Sequence, residues 1–410
     1  MMLNLFFNND PEIALPAGGR RGRRGRGRQL LAGVWAGLGL ALLLSGGAAR
    51  GAEARATLKE AFSGDFPVGV AVNQRQFTGQ DTNGAAIVVS EFNAIAPENV
   101  LKWESVHPRP GTNGYNFAAA DAYVAFGERH HLLIVGHTLA WHNQTPAWVF
   151  QGDGGRPLAG TNAADRALLL ARLQDHIQTV VGRYRGRIKI WDVVNEALND
   201  SGDPADTNLL RQTSPWVRIL GEEFIAQAFT WAHVADPDAV LRYNDYAIEN
   251  EPKRRRVMTL IQRLQARQVP VMVIGSQTHA NLIWPSPELE DAALTDLERL
   301  GLPIHITELD VDASKADQQV QSADILQPDR SGNGGLAAGA DQKLTDQYGR
   351  LFRVFLKHRQ HIGLVTFWGL TDRDSWRSWG HPLLFDREGR PKPCYETLIQ
   401  LGRPVGAERR

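Results

Sequence analysis

The chain has 410 residues, of which 43% are hydrophobic and 22% charged, and its formal net charge at pH 7 is zero. This length fits one large α/β barrel or two ordinary domains, and this composition excludes wholesale disorder. Residues 1–54 contain seven of the 45 basic and three of the 45 acidic residues, which leaves the remainder with a net charge of −4. A mildly acidic body argues against nucleic-acid binding. The single cysteine, Cys394, excludes an intramolecular disulfide and a zinc cluster built on thiolates.

Residues 1–54 have the pattern of an export signal. Six of the nine residues from Arg20 to Arg28 are Arg, an apolar stretch follows from Leu30 to Leu44, and small residues then end in Ala52–Ala54. This order predicts a signal peptide with a basic N-terminal extension. The apolar stretch is short for a spanning helix, which needs about 20 residues, so an uncleaved anchor is the weaker alternative. We therefore expect a secreted or periplasmic protein that is free of the membrane after signal removal, with one domain over residues 55–410.

From residue 66 onward, short apolar runs alternate with long amphipathic ones. The predicted strands are Val68–Val72, Phe92–Ala96, Leu132–Trp141, Ile188–Ala197, Val240–Tyr246, Pro270–Thr278, Pro303–Leu309 and Gly363–Gly369. The predicted helices include Ala164–Tyr184, Pro215–Ala235, Pro252–Gln268, Glu288–Leu300 and Asp341–His361. Eight such strand–helix units predict an α/β fold, a single (β/α)8 TIM barrel. An open doubly wound sheet is the alternative, but no glycine-rich phosphate loop follows the first strand.

Polar and aromatic residues cluster where the predicted strands end. Six strands end in such segments, namely His137–Gln144, Trp191–Glu196, Asn244–Tyr246, Gln277–Asn281, Thr307–Asp310 and Trp368–Asp372. In a TIM barrel the active site lies at this carboxyl end of the strands. Six endings on one rim therefore predict a deep polar pocket with aromatic walls.

Two carboxylates, Glu196 and Glu308, end the fourth and seventh predicted strands. Glycoside hydrolysis needs one carboxyl group to protonate the leaving oxygen and a second to attack or stabilise the anomeric carbon. A separation of about 5–5.5 Å gives direct attack and retention of configuration. Repulsion between two close carboxylates would raise the pKa of one of them, which keeps a protonated acid available near neutral pH.

Two neighbours of these carboxylates have both a functional and a structural interpretation. Asn195 can donate a hydrogen bond to a sugar 2-hydroxyl, or it can simply be a turn residue. His279 can hold the nucleophile ionised and oriented, or it can be a structural histidine. The residues alone leave both alternatives open.

Several motifs in chain order carry a resemblance to a known family. They read FNAIAPENVLKW at residues 92–103, GHTLAWH at 136–142, WDVVNEA at 191–197, GSQTH at 275–279, ITELD at 306–310 and FWGLTD at 367–372. From about residue 66 to residue 401, the sequence resembles glycoside hydrolase family 10, the barrel-fold endo-β-1,4-xylanases. One small departure is Leu101, where the family commonly has Met.

This resemblance implies an endo-1,4-β-xylanase that hydrolyses internal bonds of xylan with retention by double displacement, and it implies no metal or organic cofactor. Xylan and xylo-oligosaccharides are the implied partners, and we expect a monomer. By motif, Glu196 is the general acid/base and Glu308 the nucleophile. The implied substrate-binding residues are Glu98, Asn99 and Lys102 in the glycone subsites, His137, Trp141 and Gln144 beside the cleaved bond, Asn195, Tyr246, Gln277 and His279 around the carboxylates, and Trp368 and Trp376 as aromatic walls.

Three other functions remain as alternatives. The same barrel could act on β-1,4-glucan or mannan, since discrimination depends on the space left for the hydroxymethyl group that xylose lacks. A non-catalytic xylo-oligosaccharide-binding protein is a second alternative, although such a protein could lose Glu196 or Glu308. A barrel metalloenzyme using His137, His142 and His279 is the third, and the absence of a His-x-His pair after the first strand disfavours it.

Overall fold

The computed structural model describes residues 56–203, 205–314 and 336–402, so the predicted signal peptide lies outside the described residues. The strands in these ranges are β1 Val68–Val72, β2 Ala94–Pro97, β3 Leu133–Ala140, β4 Ile190–Asn195, β5 Val240–Asp245, β6 Val273–Ser276, β7 His279–Asn281, β8 Ile304–Asp312 and β9 Ile362–Phe367. All of them pair in parallel. This agrees with the apolar residues on both faces of these strands, which are typical of buried parallel strands.

The sheet closes on itself. Val68 of β1 aligns with Val365 of β9, and Ile274 of β6 aligns with Ile304 of β8. The order is therefore a ring of eight strands, in which β7 is a short continuation of β6 that pairs with the end of β8. This is the predicted (β/α)8 barrel, and the expected fold is confirmed.

Helices surround the barrel. Their bounds are α1 Leu58–Ala61, α2 Gln74–Phe77, α3 Thr82–Glu91, α4 Trp103–Val106, α5 Ala118–Arg129, α6 Ala163–Arg183, α7 Pro215–Leu220, α8 Glu223–Ala235, α9 Glu251–Ala266, α10 Pro287–Glu298, α11 Ala340–Lys357 and α12 Pro393–Gly402. Short 3-10 turns lie at Thr112–Gly114, Ala147–Phe150, Asp153–Gly155 and Ser378–Gly380. Within residues 56–203, 205–314 and 336–402, no helix is both long and apolar enough to cross a membrane.

The helix α6 shows how sequence produces these elements. The side chain of Asn162 accepts hydrogen bonds from the amides of residues 164 and 165 and so caps the first turn. Leu169, Leu173, Ile177 and Val181 follow at helical spacing and are all fully buried. The helix therefore presents one apolar face to the barrel.

Two predicted elements differ from the structure. The predicted helix Pro215–Ala235 is divided into α7 and α8, because Gly221 has a left-handed φ of 70° that ends the first helix. The predicted strand Pro270–Thr278 begins later and is interrupted, because Thr278 has a φ of 52°. After this interruption the chain returns to the sheet as β7, which places His279 opposite Asp310 of β8.

A charged layer lies inside the barrel below the strand ends. Arg242 donates to both oxygens of Asp192, at 2.6 and 2.9 Å, and Nδ1 of His137 lies 3.0 Å from Oδ2 of the same carboxylate. Burial favours the neutral acid, but Arg242 and His137 outweigh it and lower the pKa of Asp192 to about 2. This buried carboxylate therefore stays charged and orients His137 towards the strand ends.

Candidate active site

A cavity of about 440 Å³ opens at the carboxyl end of the strands. The residues that line it are Glu98, Asn99, Lys102, Glu104, His137, Trp141, Gln144, Asn195, Glu196, Gln277, His279, Glu308, Trp368 and Trp376. Thirteen of the fourteen predicted site residues are therefore gathered at one place. They come from segments that are far apart in sequence, and the barrel closure alone brings them together.

Glu196 follows the last residue of β4 and has a left-handed φ of 56°, which is uncommon for a residue other than glycine. Its Oε1 accepts from Nε2 of Gln277 at 2.9 Å and from Nδ2 of Asn195 at 3.2 Å. Its Oε2 accepts from the indole of Trp141 at 2.7 Å. Burial raises the pKa of Glu196 to about 7 even though the Gln277 hydrogen bond opposes this. A protonated acid is thus available near neutral pH.

Glu308 lies within β8 and is held by two donors. Nδ2 of Asn244 donates to its Oε1 at 2.8 Å, and Nε2 of His279 lies 3.2 Å from its Oε2. Nδ2 of Asn244 also donates to Oδ1 of Asn195 at 2.9 Å. One amide group therefore ties Glu308 to the residue that precedes Glu196, and the two carboxyl groups belong to one hydrogen-bonded network.

His279 lies between two carboxylates. Its Nδ1 is 3.1 Å from Oδ1 of Asp310, while its Nε2 faces Glu308. Burial alone would disfavour the charged ring, but the two carboxylates prevail and raise the pKa of His279 to about 9. Asp310 is itself fixed by the indole of Trp376 at 2.7 Å and by Arg377 at 3.1 Å. An imidazolium therefore faces Glu308 at neutral pH.

The opposite side of the cavity carries a lysine in a dense set of polar contacts. Nζ of Lys102 donates to Oδ1 of Asn99 at 3.0 Å and to Oε1 of Gln144 at 2.7 Å, and it lies 5.0 Å from the centre of the Trp141 ring. Gln144 in turn donates to Glu104 at 2.9 Å. Burial lowers the pKa of Lys102, although the carboxylates of the cavity oppose this. Sugar hydroxyls that enter here meet donors and acceptors in fixed positions.

Glu98 and two tryptophans complete the lining. Burial, helped by Asp374, raises the pKa of Glu98 to about 7. The ring of Trp368 meets His137 edge-on with centres 5.1 Å apart, and Trp376 meets His279 in the same way at 5.0 Å. Flat indole surfaces beside such polar groups suit the mixed surface of a pyranose ring.

Tyr246 is the one predicted site residue that does not line the cavity. Only 2% of it is exposed, and its ring packs with Ala247, Trp284 and Trp376. Its hydroxyl donates to Asp200 at 2.6 Å and accepts from Arg211 at 2.7 Å. Tyr246 therefore supports the wall that Trp376 forms and is not on the cavity surface.

Two further residues of this site have no role that their sequence pattern predicts. Glu104 lies on α4 and lines the cavity, yet a lone acid in a short helix has no sequence signal. Asn244 was recognised as part of a polar strand end, but its bridge to Glu308 depends on the register of three strands. The sequence indicates only that Asn244 lies at a polar strand end, and this does not reveal its partner.

A family comparison decides the classification. The model of glycosyl hydrolase family 10 matches residues 57–401, which is most of the chain. The chain belongs to glycosyl hydrolase family 10. The predicted family membership is therefore confirmed, and the carboxylate pair is that of a glycoside hydrolase.

Named relatives resemble this chain over most of its length. It is 39% identical to endo-1,4-beta-xylanase A of Caldicellulosiruptor sp. across 84% of this chain, and it spans 47% of that longer protein. It is 35% identical to the beta-1,4-xylanase of Dictyoglomus thermophilum, covering 84% of this chain and 91% of that one. A solved family 10 endoxylanase from a sugarcane soil metagenome superposes with a TM-score of 0.75 at 38% identity, covering 85% of this chain and 100% of that one.

The histidines of this family 10 chain are not grouped as metal ligands. His137 contacts Asp192, and His279 lies between two carboxylates. His142 is mostly buried, and burial, reinforced by Arg211, lowers its pKa to about 3. Over residues 56–203, 205–314 and 336–402, no three His, Cys, Asp or Glu side chains are arranged to hold a metal ion. The three histidines of the metalloenzyme alternative therefore have separate surroundings.

Proposed function

We propose that this family 10 member is an endo-1,4-β-xylanase that cleaves internal β-1,4 bonds of xylan with retention of configuration. The observation that carries the proposal is the pair of carboxyl groups in one cavity with opposite surroundings. Glu196 is buried with a pKa of about 7, while Glu308 faces the imidazolium of His279 and the amide of Asn244. Such a difference separates the acid from the nucleophile. The similarity to named xylanases over 84% of the chain supports the substrate.

In the first step, Glu196 donates its proton to the glycosidic oxygen as the bond between that oxygen and the anomeric carbon breaks. A carboxylate oxygen of Glu308 forms a new bond to the anomeric carbon, and the aglycone leaves with a hydroxyl group. Asn244 and His279 orient Glu308 for this attack. Asn195, beside Glu196, donates to the sugar 2-hydroxyl, where hydrogen bonding strengthens as charge develops on the ring.

In the second step, Glu196 is ionised and takes a proton from an incoming water molecule. The water oxygen bonds to the anomeric carbon, the ester bond to Glu308 breaks, and the carboxylate is regenerated. Two inversions give net retention. The same carboxyl group serves as acid and then base, which a pKa of about 7 permits at neutral pH.

The remaining lining residues bind the xylan chain. Glu98, Asn99 and Lys102 hold hydroxyls on the glycone side, while Trp368 and Trp376 cover the apolar face of the ring. The hydrogen bond from Trp376 to Asp310 orients that ring, and we expect the ring to crowd the hydroxymethyl group that glucose and mannose carry and xylose lacks. This supports xylan over β-1,4-glucan and mannan.

We further propose that the enzyme is exported to the periplasm or the medium and acts there as a monomer. The support for export is the basic run, apolar stretch and Ala52–Ala54 ending of residues 1–54. N-terminal sequencing of the secreted protein tests this point, and a mature protein that begins at residue 1 contradicts it. Size-exclusion chromatography with light scattering tests the monomer.

The test of the activity is reducing-sugar release from xylan, carboxymethyl-cellulose and mannan. We expect xylan alone to be cleaved, with short oligosaccharides as products and a rapid fall in viscosity. Cleavage of glucan or mannan at a similar rate favours the related barrel glycanases. Binding of xylo-oligosaccharides by a folded protein that cleaves none of the polymers favours the non-catalytic alternative.

A further inference from the structure

The chain leaves the barrel after Glu196 and returns to the same place fifteen residues later, at Arg211. The amide of Arg211 donates to the carbonyl of Ala197 at 2.9 Å, and the amide of Asn199 donates to the carbonyl of Leu209 at 3.0 Å. The excursion between β4 and α7 is thus closed at its base. Its last residue lies beside the main chain of Glu196.

The guanidinium group of Arg211 joins three different elements. Its Nε donates to the main-chain carbonyl of Glu196 at 3.2 Å, and one terminal nitrogen lies 2.7 Å from Oδ2 of Asp200. The other terminal nitrogen donates to the hydroxyl of Tyr246 at 2.7 Å. Only 12% of the side chain is exposed, so water competes little for these contacts.

We propose that Arg211 is a positioning residue, which holds the main chain of Glu196 in its left-handed conformation and places a positive charge next to this residue. The inference rests on the proposed function, in which Glu196 is the acid/base. A non-glycine residue with a φ of 56° persists only where its surroundings hold it. Nε of Arg211 donates to the main-chain carbonyl of Glu196, and the amide of Glu196 donates to the carbonyl of Asn244 at 2.9 Å. These two hydrogen bonds hold Glu196 from both sides.

The contacts of Arg211 are themselves fixed by a second cation. Nζ of Lys253 lies 2.6 Å from Oδ1 of Asp200 and 2.9 Å from Oδ1 of Asp245. Lys253 is therefore shared between two carboxylates and holds Asp200 in place as the ion-pair partner of Arg211.

The charged and titratable groups that face Glu196 come from several elements. Asp245 and Glu308 oppose its ionisation, while Arg211 and Lys102 favour it. Burial is the largest influence and raises the pKa of Glu196, and Arg211 acts against it. Removal of Arg211 must therefore raise this pKa further, so that the protonated acid persists to higher pH.

The experiment compares the full chain with Arg211→Met, Arg211→Lys and Arg263→Met, by kcat and KM on xylo-oligosaccharides across pH. Arg263→Met is the matched control because Arg263 pairs only at the surface, with Glu222. For Arg211→Met we expect the alkaline limb of kcat/KM to move up by about one pH unit, at the low end of what a nearby opposite charge produces. At the optimum we expect kcat/KM to fall about tenfold, as for the loss of a hydrogen bond from a charged group.

The lysine variant separates charge from geometry. Arg211→Lys keeps the charge but cannot reach all three partners, so we expect its alkaline limb to stay at the parent position while kcat falls. The proposal is overturned if Arg211→Lys has the same kcat as the parent. It is also overturned if Arg211→Met folds but the alkaline limb of its kcat/KM profile does not move. If Arg211→Met does not fold, the kcat of the lysine variant decides.

A parent that cleaves no glycan overturns the proposed function without deciding the role of Arg211. In that case the titration of Glu196 is followed directly by 13C NMR of glutamate-labelled protein, with Glu196→Gln to assign the signal. An upward shift of that titration in Arg211→Met supports the positioning role, and an unchanged titration contradicts it.

Discussion

The indole of Trp141 donates a 2.7 Å hydrogen bond to Oε2 of Glu196, while the other carboxyl oxygen accepts from Gln277 and Asn195. Oε1 thus has two donors and Oε2 one. The acidic proton therefore lies on Oε2, which has fewer donors, and the hydrogen bond from Trp141 fixes the direction in which this proton points. This places the proton donor beside an indole ring that also lines the cavity.

We expect Trp141→Phe to lower kcat/KM on xylan by about tenfold, because the variant keeps a ring but loses the hydrogen bond that orients the proton donor. The loss in kcat/KM should shrink on an aryl xyloside whose leaving group needs no proton, because kcat/KM reports the first step and the orientation of the acid then matters less. Steady-state kinetics on both substrates measures the difference. An equal loss on the two substrates would show that Trp141 acts through binding alone.

The two carboxylates should respond differently to removal. Glu308→Ala should abolish turnover of every substrate, since no nucleophile remains. Glu196→Ala should lose xylan cleavage but still form the glycosyl-enzyme from an activated aryl xyloside, and added azide should speed its turnover by replacing the missing base. Product analysis by NMR should give the β-azide. A β-azide from Glu308→Ala together with an α-azide from Glu196→Ala would reverse the two roles.

The alkaline limb of kcat/KM should lie near pH 7, because burial raises the pKa of Glu196 to about 7 and the first step needs its protonated form. Glu98 has a similarly raised pKa of about 7 and could produce the same limb. Glu98→Gln separates them. We expect this variant to have a changed KM with the limb in place, and a limb that disappears with Glu98 would assign it to substrate binding.

The barrel and the carboxylate pair could be predicted because both depend on local pattern. Apolar runs such as Val68–Val72 give buried parallel strands, and the closed fold then places the residues at their ends on one rim. Glu196 and Glu308 follow from that placement. The family motifs lead to the same residues, so two independent arguments agree.

Features that depend on single backbone angles or on three-dimensional register could not be predicted. Helical periodicity continues across Gly221 and predicts one helix, whereas the φ of 70° at this residue divides it into two. Tyr246 follows a polar strand end like the true lining residues, but its hydroxyl is taken by Asp200 and Arg211. The role of Arg211 depends on a loop closure that brings it to Glu196, and no spacing in the sequence indicates it.

Two carboxyl groups outside the cavity should make the fold sensitive to alkali. Glu249, in the loop after β5, and Glu290, on α10, are 0% and 1% exposed, and a hydrogen bond joins them. Glu249 also lies near Thr278 and His279. Burial, and for Glu290 also its charged neighbour, raises the pKa of both groups. Burial of the pair therefore favours its protonated form in the folded protein.

The sign of the pH dependence follows from this proton. A carboxyl pKa that is raised in the folded state stabilises fully below the unfolded pKa, and the stabilisation is lost as pH rises through the folded pKa. Between those two values, the free energy of unfolding should fall by about 1.4 kcal/mol per pH unit for each such group.

Glu290→Gln keeps a donor for Glu249 but cannot titrate. Its urea-unfolding free energy should therefore decline less steeply from about pH 5 to about pH 9 than that of the parent. Glu388→Gln, at an exposed carboxyl, is the matched control and should follow the parent curve. Equal slopes for Glu290→Gln and the parent would mean that the buried pair holds no proton beyond the ordinary pH range of a carboxyl group, which would contradict the prediction.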